Sequence, residues 1–285
     1  MEEPVFEAAS AIRAARAGRP FEAAATGLWC AGSLDGLART CVAVVGTRAA
    51  TPLGKHLARD FARDLAAAGC CILSGLALGV DAAAHEGAIE GGGLTIGVLG
   101  GGHRHFFPSR NRALAERTIA AGGAVLSPFP PDEPARPGQF LARNGIVAAL
   151  ADAVVVIEAP ARSGALNTAG WAAGRIPVLA VPGDVDRRHV QGCLALIRDG
   201  ALLARHAGDV LEALGQPALF PAAAAPPADG SAVLAALSAG PLSLDELVAK
   251  TGLAPSAALA ELAVLELQSR VECRSPSVYA ARGVG

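Results

Sequence analysis

Short apolar runs alternate with longer amphipathic or alanine-rich stretches from Cys41 to about Arg198. The runs consist almost wholly of valine, isoleucine, leucine and alanine, which is typical of strands buried on both faces of a sheet. The predicted strands are 42–45, 71–73, 95–99, 124–126, 153–157 and 177–181. The predicted helices that follow them are 52–68, 80–90, 111–121, 140–150, 164–173 and 190–198. This alternation predicts a doubly wound, mostly parallel Rossmann-like α/β sheet, since a closed barrel of such units needs eight of them.

A second pattern follows near the carboxyl terminus. Residues 216–229 are rich in proline and alanine and have no periodic apolar face, so we expect a linker. Beyond it the pattern predicts helices at 231–237, 243–250 and 256–268 and a β-wing at 271–280, which together suggest a winged helix. The predicted organisation is a short extension at 1–40, an α/β domain at 41–215, the linker at 216–229 and a winged-helix-like domain at 230–285.

The composition is that of a folded protein with a large core and no overall positive charge. Hydrophobic residues make up 52% of the chain, charged residues 18%, and the formal net charge is −2. This balance excludes a protein that holds DNA by bulk charge, but it allows a local basic pocket. We find no apolar run that is long enough for a membrane span or a signal peptide, so we expect a cytoplasmic protein without a membrane partner. The six cysteines lack CxxC spacing and are expected to be reduced thiols.

The carboxyl ends of the predicted strands carry residues that suit an anion-binding edge. Ligands of open parallel sheets bind beyond these ends, where glycines let backbone amides approach and helix N-termini favour anions. The segments at these ends are Gly46-Thr47-Arg48, Ser74-Gly75, Gly100-Gly101-Gly102 with Phe107 and Arg110-Asn111 after it, and Ser163-Gly164. One such turn alone is more often only a tight loop, but several on one edge predict a binding site.

Motifs for known cofactors and metals are incomplete. The glycines of Gly46…Gly54-Lys55 are too far apart for a P-loop, and the triplet at 100–102 does not extend to a dinucleotide fingerprint. His103 and His105 lack nearby cysteine or acidic partners for zinc. We therefore expect no cofactor and no metal.

Three further polar residues are candidates for acid–base chemistry. Asp81 and His85 lie one helical turn apart, which fits an acid–base pair, although a structural or ligand-lining role is favoured. Glu158 ends a predicted strand and is the best remaining carboxylate for catalysis, for a base edge or for an arginine partner. No Ser–His–Asp or Cys–His arrangement is evident in the sequence, so we expect no catalytic residue.

The order and spacing of these motifs closely resemble the DNA-processing protein A family, also called DprA or Smf. The similarity extends over about residues 28–203. The blocks that carry it are 45–48, 74–77 with Gly79, Asp81 and His85, 92–96 with Gly100, Pro108 with Asn111, Phe140 with Arg143-Asn144, 156–159, 163–166 with Thr168-Ala169, 180–183 and 197–201.

The resemblance implies an extended Rossmann-type domain that binds single-stranded DNA in a positively charged pocket. It also implies a homodimer that delivers this DNA to a RecA-type recombinase in natural transformation, without enzymatic turnover or a nucleotide cofactor. Carried over by position, the DNA-binding residues are Gly46, Thr47, Arg48, Ser74, Gly75, Phe107, Arg110, Asn111, Phe140, Arg143, Asn144, Ser163 and Gly164. Among them Arg48 is the strongest candidate for a phosphate ligand, and Phe107 and Phe140 are candidates for stacking on bases.

Three positions depart from the family pattern, and these changes are expected to alter the edge of the pocket. Pro128 stands where an acid is usual, Gly145 where a second arginine is usual, and Leu194 where an asparagine is usual.

The winged-helix-like domain has six acids against four bases from Asp229 onward, and its third helix carries Glu261 and Glu266 without a base. Because like charge would face phosphates, a protein contact or dimer support is favoured over duplex binding.

Two other function classes stay open. One is a Rossmann-like nucleotide-processing hydrolase of the lysine-decarboxylase-like group, whose PGGxGT-type loop is incomplete at Pro182-Gly183-Asp184. The other is a winged-helix transcription regulator, against which the acidic third helix argues.

Overall fold

The computed structural model describes residues 3–17, 19, 26–216, 231–237, 240–268, 270–275 and 278–281. The chain forms two compact units, Met1–Leu219 and Phe220–Gly285. Apart from Gln216, the predicted linker at 216–229 lies outside the described residues.

The first unit is built on a mostly parallel sheet of nine described strands. They are β1 Val5–Ala8, β2 Gly27–Gly32, β3 Cys41–Val45, β4 Cys71–Ser74, β5 Thr95–Val98, β6 Ala124–Ser127, β7 Ala153–Val156, β8 Val178–Ala180 and β9 Leu202–Leu203. Their order across the sheet is β1-β2-β6-β5-β4-β3-β7-β8-β9. After β3 the chain adds β4, β5 and β6 in turn on one side of it, and it then adds β7 and β8 on the other side. The strand order therefore reverses between β3 and β7. In open parallel sheets this reversal is where a ligand crevice forms.

The helices of this unit follow the strands in the predicted sequence. They are α1 Ala9–Ala15, α2 Pro52–Ala67, α3 Val80–Glu90, α4 Arg112–Ala120, α5 Pro137–Leu150, α6 Gly164–Ala172, α7 Gln191–Arg198 and α8 Ala207–Ala213. Gly87 of α3 and Gly91 just after it allow α3 to pack closely on α2, because a Cβ at either position would collide with backbone carbonyls of α2.

The predicted parallel strands and their helices are confirmed, each within three residues at its ends. Residues 1–40, which the pattern predicts to be a short extension, contribute two strands to the sheet. β2 pairs antiparallel with β6, from Trp29 opposite Ser127 to Gly32 opposite Ala124, and β1 pairs antiparallel with β2. β1 is short and largely exposed, and the apolar run of β2 is only four residues long, 28–31, between two glycines, so neither was predicted as a strand.

An ionic cluster attaches the amino-terminal segment to the sheet. It lies at the edge opposite the carboxyl ends of the parallel strands. Asp152, just before β7, accepts a hydrogen bond from the Cys41 backbone N–H at 2.7 Å and forms ion pairs with Arg16 and Arg19. Arg16 is only 2% exposed and also donates to the Leu150 carbonyl. Burial lowers the pKa of Arg16, and the Asp152 carboxylate opposes that effect.

The second unit contains α9 Ala232–Leu237, β10 Leu242–Ser243, α10 Leu244–Thr251, α11 Pro255–Leu267, β11 Val271–Ser275 and β12 Val278–Ala281. Its strands pair in the order β10-β12-β11. Ser243 and Glu246 form a capping box at the start of α10, and Gly252 ends it with a left-handed φ of 70°. Leu237, Leu247 and Leu262 belong to its separate apolar core. These elements confirm the predicted winged helix.

The described residues contain no single helix that is long and apolar enough to cross a membrane; only α10 and α11 together pass on length and composition, and they are bent by 109° at their junction. No group of three or more His, Cys, Asp or Glu side chains is placed to hold a metal ion within the described ranges.

Replacing Asp152 with alanine is expected to destabilise the first unit by about 3 kcal/mol, because its ion pairs with Arg16 and Arg19 and its hydrogen bond from the Cys41 N–H are all lost. Urea unfolding followed by circular dichroism measures the change. Asp199→Ala, which removes an exposed pair with Arg198, is the control and should stay within about 0.5 kcal/mol of the unaltered protein. Equal effects of the two substitutions would show that the Asp152 cluster does not support the fold.

Candidate nucleic-acid interface

A cleft of about 800 Å³ opens at the carboxyl ends of β3, β4 and β7. Its walls come from the loops that follow these strands and from α5 and α6. It brings together ten of the thirteen predicted binding residues: Gly46, Thr47, Arg48, Gly75, Phe107, Phe140, Arg143, Asn144, Ser163 and Gly164. The cleft therefore lies where the strand order reverses, as the sheet topology requires.

The other three predicted residues do not line this cleft. Ser74 is buried and donates its hydroxyl to the Val44 carbonyl at 2.7 Å. Asn111 is buried, and its amide donates to the carbonyls of Leu76 and Ala77, so it shapes the loop after β4. Arg110 is exposed on the short turn before α4. Ser74 and Asn111 therefore help to position the loop after β4, but they do not line the cleft themselves.

The rim of the cleft combines a cation with aromatic rings. The Arg48 guanidinium lies 4.8 Å from the centre of the Phe140 ring, and the Phe107 ring meets Phe140 edge-on at 6.0 Å. Phe107 is 53% exposed. The rim thus offers a positive charge and an accessible aromatic surface side by side.

The glycines of the triplet after β5 make room for neighbouring residues. A Cβ at Gly100 would lie 2.5 Å from the Phe140 ring, and Cβ atoms at Gly101 and Gly102 would meet Ala135 and the Pro130 carbonyl. None of the three lines the cleft. Their expected place in the anion-binding edge was therefore wrong.

The N-terminus of α6 forms one wall of the cleft. Ser163 is its N-cap and accepts a hydrogen bond from the Ala165 backbone N–H at 3.3 Å. The free amides and the helix dipole favour an anion at this end. Arg162 is exposed, lines the cleft beside this terminus and was missed by the sequence analysis, although its place just before the cap was a usable signal.

A buried arginine forms the floor. Arg143 is 4% exposed, and its Nη1 donates to the Val98 carbonyl at 2.8 Å. A Cβ at Gly75 would overlap Nη1, so the loop after β4 must carry glycine there. Burial lowers the pKa of Arg143, the Asp81 charge raises it, and the Arg48 charge lowers it further.

Asp81 and His85 do not act as a pair. Asp81 lines the cleft, is 6% exposed and accepts from the Gly75 backbone N–H at 3.1 Å. Burial raises its pKa, while the charge on Arg143 opposes that rise. His85 lies behind the cleft, with Nδ1 at 2.7 Å from the Thr95 hydroxyl. Asp81 thus has the ligand-lining role and His85 the structural one.

The tautomer of His85 follows from its partner. Thr95 donates its hydroxyl proton to the Ile72 carbonyl at 2.8 Å, so Nδ1 of His85 must be the donor to Thr95. Nε2 is then an acceptor, and it has no hydrogen-bond partner among the described residues. Burial lowers the pKa of His85 to about 3, because a second proton would place a charge in the core.

Glu158 positions the loop that carries Arg48. Its carboxylate accepts from the Thr51 backbone N–H at 2.9 Å and from the Thr51 hydroxyl at 2.5 Å. A Cβ at Gly54 would collide with this carboxylate, so glycine is required at the start of α2. Glu158 is buried and does not line the cleft, which assigns it to holding the β3 loop.

None of the three departures from the family pattern is among the residues that line the cleft. Gly145 adjoins Asn144 on α5, and a Cβ there would lie 3.3 Å from the indole of Trp171. The Trp171 ring therefore covers the surface of α5 at this position and remains half exposed.

The extended Rossmann-like sheet with a cleft at its switch point, and the winged helix in the same chain, define a two-domain class of α/β proteins. Residues 17–215 match the family DNA recombination-mediator protein A, and residues 216–275 match the DprA winged helix domain. The chain belongs to the DNA recombination-mediator protein A family.

Similar proteins and solved structures support this assignment. The putative DNA processing protein DprA of Mycobacterium tuberculosis is 41% identical over 96% of this chain and 73% of its own length. The X-ray structure of DprA from Streptococcus pneumoniae superposes with a TM-score of 0.62 at 38% identity over 66% of each chain. DNA processing protein A from Helicobacter pylori, known for its single-stranded DNA binding mode, has a TM-score of 0.60 at 32% identity over 66% of this chain and 86% of its own.

Gly75→Ala is expected to lower the free energy of unfolding by about 1–3 kcal/mol, because the new methyl group must displace the buried Arg143 guanidinium. Gly138→Ala is the matched control, since nothing lies within 4 Å of its added Cβ on α5. That control should be neutral or stabilising by up to about 1 kcal/mol through helix propensity. Thermal unfolding of both variants measures the difference, and a neutral Gly75→Ala would contradict the described packing.

Acidification is expected to weaken the fold through His85. The unfolded chain binds a proton below pH 6.5 that the folded protein takes up only near pH 3, so stability falls as the pH falls between these values. The contribution is about 1.4 kcal/mol per pH unit in that window. His85→Asn should therefore show a flatter decline of unfolding free energy with pH, measured by urea titrations. The exposed His105→Asn control should keep the original slope; identical slopes for all three proteins would refute the assignment.

Proposed function

We propose that this protein binds single-stranded DNA in the cleft and acts as a homodimeric recombination mediator. In this proposal it protects incoming single strands and loads a RecA-type recombinase onto them during natural transformation, without enzymatic turnover. The observation that carries the proposal is the rim of the cleft, where Arg48 lies against Phe140 with Phe107 exposed beside it. Family membership and the binding mode described for the Helicobacter pylori relative support it.

The rim suits a single strand better than a duplex. Unpaired bases present their faces, and stacking on an aromatic side chain contributes about 1–3 kcal/mol per base irrespective of sequence. Phosphates between such bases would meet Arg48, Arg162 and the amides at the start of α6. A duplex hides its base faces, so Phe107 would have no base to contact there.

The net charge of −2 is compatible with this site. Arg48 and Arg162 line the cleft, and many other arginines are paired with acids, such as Arg63 with Asp60 and Arg205 with Asp209. A short stretch of backbone needs only a few cations, because each contacted phosphate contributes separately to binding.

The runner-up function, hydrolysis of a nucleotide, needs a carboxylate that is free to act on a ligand or on water. Both oxygens of Glu158 are engaged by Thr51, and this residue does not line the cleft. Asp81 does line it, but among the described residues no histidine or second carboxylate lines the cleft beside it to complete an acid–base pair. These contacts favour binding over turnover, and a nucleotide-hydrolysis assay distinguishes the two.

We assign the winged helix to a protein contact. Glu261 of α11 accepts a hydrogen bond from the Ser231 hydroxyl at 2.6 Å, so one of the acids on the helix that would read DNA stabilises the unit itself. The other, Glu266, adds negative charge without a basic neighbour in α11. Phosphates would meet repulsion along this helix.

The homodimer is also part of the proposal. β9 is the last strand of the described sheet, and its residues Leu202 and Leu203 are 50% and 46% exposed. Exposed apolar side chains on an edge strand favour pairing with another chain. A second copy would cover them.

Arg48→Ala is the variant that tests the binding site. It removes the rim cation that lies against Phe140, so affinity for a labelled thymine oligomer should fall by about tenfold or more. The slope of log affinity against log salt should become shallower by about 0.7, the share of one phosphate contact in a single strand. Fluorescence anisotropy across a salt series measures both, with Arg117→Ala on the exposed side of α4 as the control.

The same two variants test the recombinase step. The unaltered protein and Arg117→Ala should accelerate assembly of a RecA-type filament on single strands coated with a single-strand-binding protein, and Arg48→Ala should not. A protein that prefers the duplex, or that fails to bind single strands at low salt, would overturn the proposed function. Binding without acceleration would limit it to strand protection.

A further inference from the structure

The rim and the floor of the cleft differ in their electrostatics. At the rim stand the exposed Arg48 and Arg162 and the amide end of α6, all of which favour anions. At the floor, Arg143 and Asp81 carry opposite formal charges, and both are more than nine-tenths buried. A phosphate is therefore stabilised at the rim, whereas at the floor it would face the Asp81 carboxylate.

The floor presents hydrogen-bonding groups of both kinds at one place. Arg143 uses Nη1 for the Val98 carbonyl, but its buried Nε has no partner among the described residues. Asp81 accepts from the backbone N–H groups of Gly75 and Ala77, and a carboxylate with about four lone-pair sites keeps capacity for further donors. A Cβ on Gly75 would overlap the Arg143 guanidinium. Both side chains thus border Gly75, with an unused donor beside a carboxylate acceptor.

The walls above this pair are apolar. Ala77 and Val147 are buried, line the cleft and carry no polar side-chain atoms, and the half-buried Phe140 stands nearby. A flat ring with polar edges suits such a space, because its faces meet apolar side chains while its edge meets the floor. An unpaired polar group as deeply buried as Nε of Arg143 is costly unless a ligand satisfies it.

We propose that the floor is a socket for one base of the bound strand, and that Asp81 and Arg143 make guanine its preferred occupant. Guanine has two adjacent donors, N1–H and the N2 amino group, for the Asp81 carboxylate, and an acceptor, O6, for the Arg143 guanidinium. Thymine has a single donor on that edge, and adenine offers no carbonyl acceptor. This inference rests on the proposed single-strand binding and adds a sequence preference to it.

The first measurement compares a thymine oligomer of about fifteen nucleotides with the same oligomer carrying one central guanine. One guanine in a thymine background avoids guanine self-association. The unaltered protein should bind the guanine-containing strand at least about fivefold more tightly. A central adenine in the same background should give no gain.

Asp81→Asn tests which residue reads the base. Its amide oxygen can still accept from the Gly75 N–H, but it no longer offers a carboxylate to two donors, so the guanine preference should shrink to about twofold or less. The preference is measured as the ratio of the affinities for the guanine and thymine strands within the same variant, and circular dichroism checks that the variant is folded. Asp35→Asn removes the same charge from an exposed position outside the cleft and should keep the full preference.

The outcomes separate this inference from the function on which it rests. Failure of the unaltered protein to bind any single strand overturns the proposed function. Equal binding of the thymine, adenine and guanine strands overturns the socket and leaves single-strand binding intact. A guanine preference that survives Asp81→Asn also overturns the inference. Free deoxyguanosine monophosphate should not displace the strand at an equal concentration; if it does, the socket serves a free nucleotide instead of DNA.

Discussion

The close approach of the Arg143 guanidinium to the backbone at Gly75 fixes the floor of the cleft. This one contact joins α5, which carries the arginine, to the end of β4, and through the Val98 carbonyl to the end of β5. Asp81 ties the start of α3 to the same point through the Gly75 N–H. A buried cation needs acceptors and opposite charge close by, and the Val98 carbonyl and the Asp81 charge meet that need in this arrangement. The cleft exists because that arrangement leaves space above the guanidinium.

A second set of contacts holds the rim. Glu158 binds both the amide and the hydroxyl of Thr51 and thereby fixes the loop that presents Arg48. Gly100 makes room for the ring of Phe140, on which the Arg48 guanidinium stacks. The groups that would meet a ligand are therefore held by buried neighbours before any ligand arrives. Such preorganisation reduces the entropy lost on binding, since loops and side chains are already ordered.

The family of the chain and the chemistry of the rim are both compatible with a DNA ligand. Membership of the DNA recombination-mediator protein A family places the chain among DNA-processing proteins. The arrangement of cation, aromatic ring and helix terminus at the rim independently fits a single-stranded polyanion with exposed bases. Residues 216–275 match the DprA winged helix domain, and the acidic α11 is the reason for our proposal of a protein partner there.

The sequence by itself determined the parallel core, the winged helix and the chemical character of the binding edge. Buried parallel strands have continuous apolar runs, and their carboxyl ends must share one edge, so Gly46-Thr47-Arg48 and Ser163-Gly164 were predicted to lie together. Only the tertiary structure added β1, β2 and β9 to the sheet, because strands with exposed or glycine-containing residues are defined by their pairing partners rather than by periodicity. It also decided which glycines face a ligand. Gly75 and Gly100 look alike in the sequence, yet one borders the cleft and the other makes room for Phe140, since a missing Cβ is needed wherever any neighbour comes close.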